Sequence, residues 1–283
     1  MVYYLLITFS ALLFSLQFIF NQRFQKEYGT GTEATHVFLF YRSVMIMILM
    51  FVINGFTIQI TGFSLILAII SSVVCIGFQY YSLKAFEVVN LSVYSVFTML
   101  GGMILPFLVG ILFYQEDLNI FKLICCGLIV VAILINVKSE KQDKKAIIYY
   151  IIVFVLNGLV GVISKVHQSS LVSHVDSASF TFLSSLVIVV ISGVCLLWKN
   201  KKIPVPSGRC IFYTAGFGAF NGLGNWIMLI ALMHLPASVQ FPLVTGGTMV
   251  FSTLISMIRK EKIKKADYFS AIIAFVASVM MAF

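Results

Sequence analysis

The chain reads as an all-α membrane protein: ten transmembrane helices in two inverted five-helix repeats. Three observations predict this. First, of 283 residues 60% are hydrophobic and only 10% charged, whereas soluble chains carry about 25% charge. Second, apolar runs follow one another almost end to end, and about 20 apolar residues suffice to cross a hydrocarbon core of about 30 Å. Third, a long stretch recurs. Ala85–Glu116, AFEVVNLSVYSVFTMLGGMILPFLVGILFYQE, is answered by Ala231–Glu261, ALMHLPASVQFPLVTGGTMVFSTLISMIRKE. Ala85 meets Ala231, Ser92-Val93 meets Ser238-Val239, Gly101 meets Gly247, Met103 meets Met249, and Glu116 meets Glu261 after one gap. A repeat this long marks a duplicated half-protein and not a short solenoid unit.

The first span runs from about Val2 to Asn21. It lacks the basic flank and small-residue cleavage site of a signal peptide and its apolar run is too long, so it reads as an uncleaved helix. A polar link, QRFQKEYGTGTEA, leads to the second span, about Thr35 to Val52. The turn NGFTIQITG carries no charge and leads to the third span, about Phe63 to Lys84. The fourth and fifth follow at about Leu91–Tyr114 and Ile120–Val137. The charged linker 138–145 separates this first repeat, 1–137, from the second, 146–283. There the spans are about Ala146–Ser164, Ala178–Trp198, Cys210–His234, Ala237–Ile258 and Ala266–Phe283. The links between spans three and four and between spans eight and nine are a few residues long, which forces tight antiparallel pairs in both halves. Five is an odd number, so two like halves joined head to tail lie inverted in the bilayer, the architecture of many secondary transporters.

Orientation follows from Lys and Arg in the short loops. Arg23, Lys26, Lys84, the 138–145 linker, the 199–209 loop and the 259–265 cluster fall on one side; only Lys122 and Lys165 fall on the other. The first side is expected to be cytoplasmic, with both termini outside. The net charge of +9 is thus a matter of topology and requires no nucleic-acid partner. Cys75, Cys125, Cys126, Cys195 and Cys210 sit in or beside apolar runs without metal-ligand spacing, as small buried hydrophobes do.

Two halves whose fourth helices carry A…S-V…(G)G…E resemble the drug/metabolite transporter superfamily, in particular its EamA-type members. LPASVQFPLVTGG…RKE is the closer match; NLSVYSVFTMLGGMILP…YQE has Asn90 where its partner has Pro236. The resemblance covers the whole chain and implies ten spans, an inverted repeat and a small-molecule substrate. Its motifs are loose, so it implies a superfamily and not a substrate. Members usually keep both termini in the cytoplasm, the reverse of what the charge bias here implies.

Polar side chains in membrane helices are costly and turn to the bundle interior. Gln17 and Asn21 lie four apart on span one, and Asn221 and Asn225 four apart on span eight, so each pair shares a face. The repeat alignment sets Gln79 on Asn225 and Tyr80 on Trp226: an amide followed by an aromatic, in both halves. Such pairs offer donors, acceptors and flat apolar walls to a substrate; the competing reading is that the amides glue helices together. Tyr94, Asn157 and Gln240 complete the expected substrate site. Arg42 reads as snorkelling to the cytoplasmic surface, a substrate anion or a helix end being the sharper alternative. Glu87, Glu116 and Glu261 sit at helix ends, solvated or paired with Lys84, Lys122 and Arg259. His167, His174 and His234 lie near helix ends and are assigned no role.

No GxxxxGK[ST] loop is present, so ATP is not expected to drive the protein. No His/Asp/Glu cluster suits acid–base chemistry or a metal, so neither enzyme activity nor a cofactor is expected. A membrane-embedded transferase is a distant third reading. The chain is expected to be a secondary transporter of a small metabolite or drug-like molecule, in the cell membrane, with lipid as its surroundings. Its coupling ion is left open, as is the choice between monomer and homodimer. The alternative is a non-transporting scaffold or receptor, which needs neither a duplicated half nor amides at matched positions.

The charge bias makes one prediction. Cysteines placed in the 138–145 linker are labelled only from inside the cell; labelling from outside by an impermeant reagent reverses the orientation.

Overall fold

The computed structural model describes residues 1–86, 91–135, 144–260 and 265–281. Within them run ten helices and no strand: α1 (Val2–Tyr28), α2 (Thr32–Ile53), α3 (Gly62–Phe86), α4 (Leu91–Tyr114), α5 (Ile120–Leu134), α6 (Lys144–Gln168), α7 (Ser177–Asn200), α8 (Gly208–Leu232), α9 (Ala237–Ile258) and α10 (Lys265–Met281). Eight of the described helices are long and apolar enough to cross a membrane. The two shorter apolar ones are Ile120–Leu134 and Tyr268–Met280. At about 1.5 Å per residue the described α5 rises about 22 Å, less than a full hydrocarbon core.

Helix ends follow local chemistry. α1 continues past the expected end at Asn21 to Tyr28 because Gln22–Lys26 are good helix formers. It stops at Gly29, whose φ of 98° suits glycine best. Asn119 caps α5, accepting from the Lys122 N–H at 2.8 Å. Asp176 caps α7 through Ala178 N–H (2.9 Å) and Ser179 N–H (2.8 Å). Ser207 caps α8 through Cys210 N–H at 3.3 Å. Each cap satisfies donors that a helix start leaves without an internal partner. Pro236 caps α9 with no side-chain acceptor of its own.

α1 packs on α8 and α9, α6 on α3 and α4, α2 on α7 and α8, and α3 on α7. α4 meets α9, and α10 meets both α5 and α9. One core gathers Ile7, Met103, Phe107, Ile129, Leu243 and Ala277 from α1, α4, α5, α9 and α10. A second gathers Phe24, Phe38, Leu196 and Phe217 from α1, α2, α7 and α8. Outward faces are apolar too: Phe9, Ile66, Leu112, Phe212 and Ile272 are exposed, as lipid contact requires.

The α4–α6 crossing depends on glycine. A β-carbon at Gly101 would fall onto the Phe154 carbonyl, and one at Gly158 would meet Leu105 and the Gly101 carbonyl. Small residues here let two backbones touch. By contrast, Gly127 on α5 has open space around it. Gly101→Ala is therefore expected to destabilise the protein by about 1–3 kcal/mol, read as a lower unfolding temperature in detergent. Gly127→Ala leaves that temperature unchanged or slightly higher.

Candidate functional site

A shallow cleft with room for about one water molecule lies where α1 ends and α2 begins. Asn21, Phe24, Gln25 and Gly29 line it from α1 and its end, Ala34, Thr35 and Phe38 from α2, and Gln79 from α3. Two of the amides expected from sequence, Asn21 and Gln79, thus meet in one cleft. Gln25 Nε2 donates to Asn21 Oδ1 at 3.3 Å, which orients the Asn21 amide.

One helical turn deeper lies Arg42. It was expected to snorkel, but its side chain is buried, with the residue 7% exposed. α2 begins at Thr32, so Arg42 lies about 15 Å along the axis at about 1.5 Å per residue. Its Nη2 donates to Cys75 Sγ at 3.3 Å. The guanidinium carbon lies 5.6 Å from the Phe38 ring centroid and 5.4 Å from that of Phe217. Its Nε is buried without a hydrogen-bond partner. Cation–π contacts contribute about 0.5–2 kcal/mol each, and a thiol is a weak acceptor. Removing an ion from water costs several kcal/mol, so these neighbours offset only part of the burial. Phe38 is four residues before Arg42 on α2, and Gln79 is four residues after Cys75 on α3. Two lining residues of the cleft thus stand one helical turn from Arg42 and Cys75, which do not line it themselves.

The other expected residues are distributed along the helix interfaces. Asn221 Nδ2 donates to Gln17 Oε1 at 2.8 Å, joining α8 to α1. Asn225 Nδ2 donates to the Asn221 carbonyl at 2.8 Å. Asn157 Nδ2 on α6 donates to the Thr98 carbonyl of α4 at 2.8 Å. Gln240 is wholly buried, its Nε2 donating to the Met228 carbonyl at 2.8 Å; its Oε1 finds no donor. Trp226 packs against the apolar cluster of Ile46, Met50 and Ala178. Tyr80 stands edge-on to Tyr81, ring centroids 5.4 Å apart. The side chain of Tyr94 lies outside the described residues.

The opposite end of the bundle holds a buried ion pair that the sequence did not reveal. Glu116, after α4, was expected to be solvated or to pair with Lys122. Lys165 Nζ of α6 meets its Oε1 at 2.7 Å, both side chains less than a tenth exposed. Lys122 instead donates to the Asp117 carbonyl at 2.6 Å. The two Glu116 oxygens also accept from Ala237 N–H and Ser238 N–H of α9, each at 2.8 Å. Glu116 thus supplies the cap that Pro236 lacks, and its charge suits the positive end of α9. Burial pushes its carboxyl up, but the Lys165 ammonium and the N–H groups of Ser238 and Ala237 outweigh that and hold it below its usual range. The missing acceptor at Pro236 was the signal in the sequence. Glu87 and Glu261, the other two helix-end acids, lie outside the described residues.

His167 reinforces the same end. It is fully buried, its Nε2 2.9 Å from Ser64 Oγ and its ring stacked on Phe180 with centroids 3.8 Å apart. Nearby, Asp176 takes donors from Ser179, Ala178 and Asn54. Burial raises its carboxyl, but these donors prevail and hold it below the usual range. His234, by contrast, stacks on Tyr3 with centroids 4.1 Å apart.

The EamA-like transporter family matches residues 144–283, which bears out the resemblance to the drug/metabolite transporter superfamily. A solved structure described only as the crystal structure of a protein superposes with a TM-score of 0.78. It covers 100% of this chain and 98% of its own at 12% identity, a likeness of fold alone. No curated protein matches the chain.

The buried ion pair makes a prediction. Glu116→Gln leaves Lys165 buried without a counter-ion, which costs on the order of 3 kcal/mol. Because the folded carboxyl titrates below its usual range, the pair's contribution is complete above the ordinary carboxylate pKa. It is lost as pH falls through the folded value. The stability gap between wild type and Glu116→Gln is therefore widest at neutral pH and narrows only below about pH 4, as followed by thermal unfolding across pH.

Proposed function

As residues 144–283 belong to the EamA-like transporter family, we propose that the chain is a secondary transporter of the cell membrane. It moves a small metabolite or drug-like molecule by alternating access between two inverted five-helix repeats. The observation that carries this reading is the contrast between the two ends of the bundle. At one end a cleft reaches between α1, α2 and α3. At the other, Glu116, Lys165 and the start of α9 close α4, α6 and α9 together. A transporter needs one end sealed while the other is open, and a scaffold has no use for that asymmetry.

The helix pairings support an inverted repeat. α2 with α7, α4 with α9 and α5 with α10 each join a helix to its own counterpart. α1 on α8 is mirrored by α6 on α3, and α4 on α6 by α9 on α1. A two-fold axis relating the halves produces such exchanges, and an odd number of spans per half places that axis in the membrane plane. The charge bias puts the cleft at the cytoplasmic end and the ion pair outside.

The substrate is bound on the polar path between these ends. Gln79, Tyr80, Asn225 and Trp226 serve it at matched positions of the repeat, with Gln17, Asn21, Asn157, Asn221 and Gln240 alongside. Amides can exchange hydrogen bonds between one another and a passing polar solute, so desolvation is compensated along the route. The unpaired Oε1 of Gln240 offers an acceptor at the closed end of that path.

Asn225→Leu tests the site. It removes one hydrogen bond, a stability loss of about 1 kcal/mol, and keeps the volume. The variant is expected to fold and insert yet lose transport in proteoliposomes, measured per folded molecule, for any solute that stabilises the wild type. Normal transport by Asn225→Leu contradicts the site. A loss of folded protein without a loss of specific rate supports helix glue instead.

A further inference from the structure

Arg42 is a buried cation for which the described residues provide no carboxylate within ion-pair distance; their ion pair, Lys165–Glu116, lies at the other end of the bundle. Its Nη2 reaches only the thiol of Cys75, and its Nε reaches nothing. Phe38 and Phe217 present ring faces to the guanidinium. Two features distinguish this from a structural arginine. Structural arginines in a membrane interior pair with acids or backbone carbonyls, and among the described residues this one has neither. It also lies one turn beneath a cleft whose lining is neutral amide and aromatic, so nothing along the approach competes for an anion.

We propose that Arg42 is the anchor for a single carboxylate of the transported molecule, making the substrate class a small monocarboxylate with a flat or apolar body. A guanidinium fork matches the planar carboxylate with two parallel hydrogen bonds, and its free Nε is one of the donors for such a fork. One fixed positive charge among neutral amides balances one negative charge. A phosphate dianion would leave excess charge in a dry interior. Phe38 and Phe217, already beside the guanidinium, hold an apolar or aromatic body against it. The inference rests on the transporter reading of the same site and adds to it the charge and size of the cargo.

The test uses the full chain, purified in detergent. Thermal unfolding is followed with benzoate, hexanoate and L-phenylalanine, with the carboxamide of each, and with inorganic phosphate. At least one carboxylate is expected to raise the unfolding temperature, with its amide and phosphate inactive and the effect lost in Arg42→Met and Arg42→Gln. Ligand-free Arg42→Met is expected to unfold at the wild-type temperature or above it, because an uncompensated buried charge has been removed. Any of four results overturns the proposal: Arg42→Met unfolding several degrees lower without ligand, acid and amide acting alike, phosphate acting through Arg42, or no carboxylate acting on wild type. Proteoliposome flux separates this inference from the reading beneath it. Arg42-dependent binding of an acid that is not moved sinks the transporter reading alone. Flux of benzamide or hexanamide that persists in Arg42→Met sinks the carboxylate anchor alone.

Discussion

Inside a bilayer no water is available to a polar group, so each one must find its partner within the protein. That constraint governs most of the polar chemistry of this chain. Asn221 meets Gln17, Asn225 turns to a carbonyl on its own helix, and Asn157 reaches across to α4. Ser10 and Ser15 donate to carbonyls of α8 and α9, at 2.8 and 3.0 Å. The helix starts obey the same rule, and where Pro236 gives α9 no cap of its own, Glu116 arrives from another helix to provide one.

The two ends of the bundle differ in how their charged groups meet this rule. At the Glu116 end the ion pair and the cap on α9 lock α4, α6 and α9 by directional contacts. At the cleft end the polar groups face a gap, and one turn below it Arg42 keeps a donor without an acceptor. The glycine contact between α4 and α6 ties the sealed end to the rest of the bundle, because a shift at Lys165 must carry the backbone that Gly101 and Gly158 hold together.

Much of the architecture was legible in the sequence because it is written in hydropathy and in the repeat. Helix order agrees throughout, and the largest shift of a boundary is in α1, which Gln, Arg and Lys extend to Tyr28 without a breaker. Spacing put Gln17 with Asn21 and Asn221 with Asn225 on shared faces, but that Gln17 meets Asn221 and Asn21 shares a cleft with Gln79 comes from packing between helices. Arg42 was misplaced because its depth depends on where α2 begins, and a shift at Thr32 turns a snorkelling residue into a buried one. The repeat offered no help there, as α7 carries no charge before Lys199. Lys165 and Glu116 were missed because they belong to different halves, and sequence proximity favoured Lys122. Pairing between halves is a property of the packed bundle, and its one local trace is the missing cap at Pro236.

The central claim is that the two ends of the bundle are coupled, one closing as the other opens. Distances between nitroxide labels, measured by pulsed electron resonance, test it most directly. One pair, at Leu118 and Leu171, reports on the sealed end; another, at Gln25 and Gln79, reports on the cleft. Releasing the seal with Glu116→Gln is predicted to lengthen the first distance and shorten the second in the same sample. A longer first distance with an unchanged second, meaning a local fraying of the ion pair, contradicts the account.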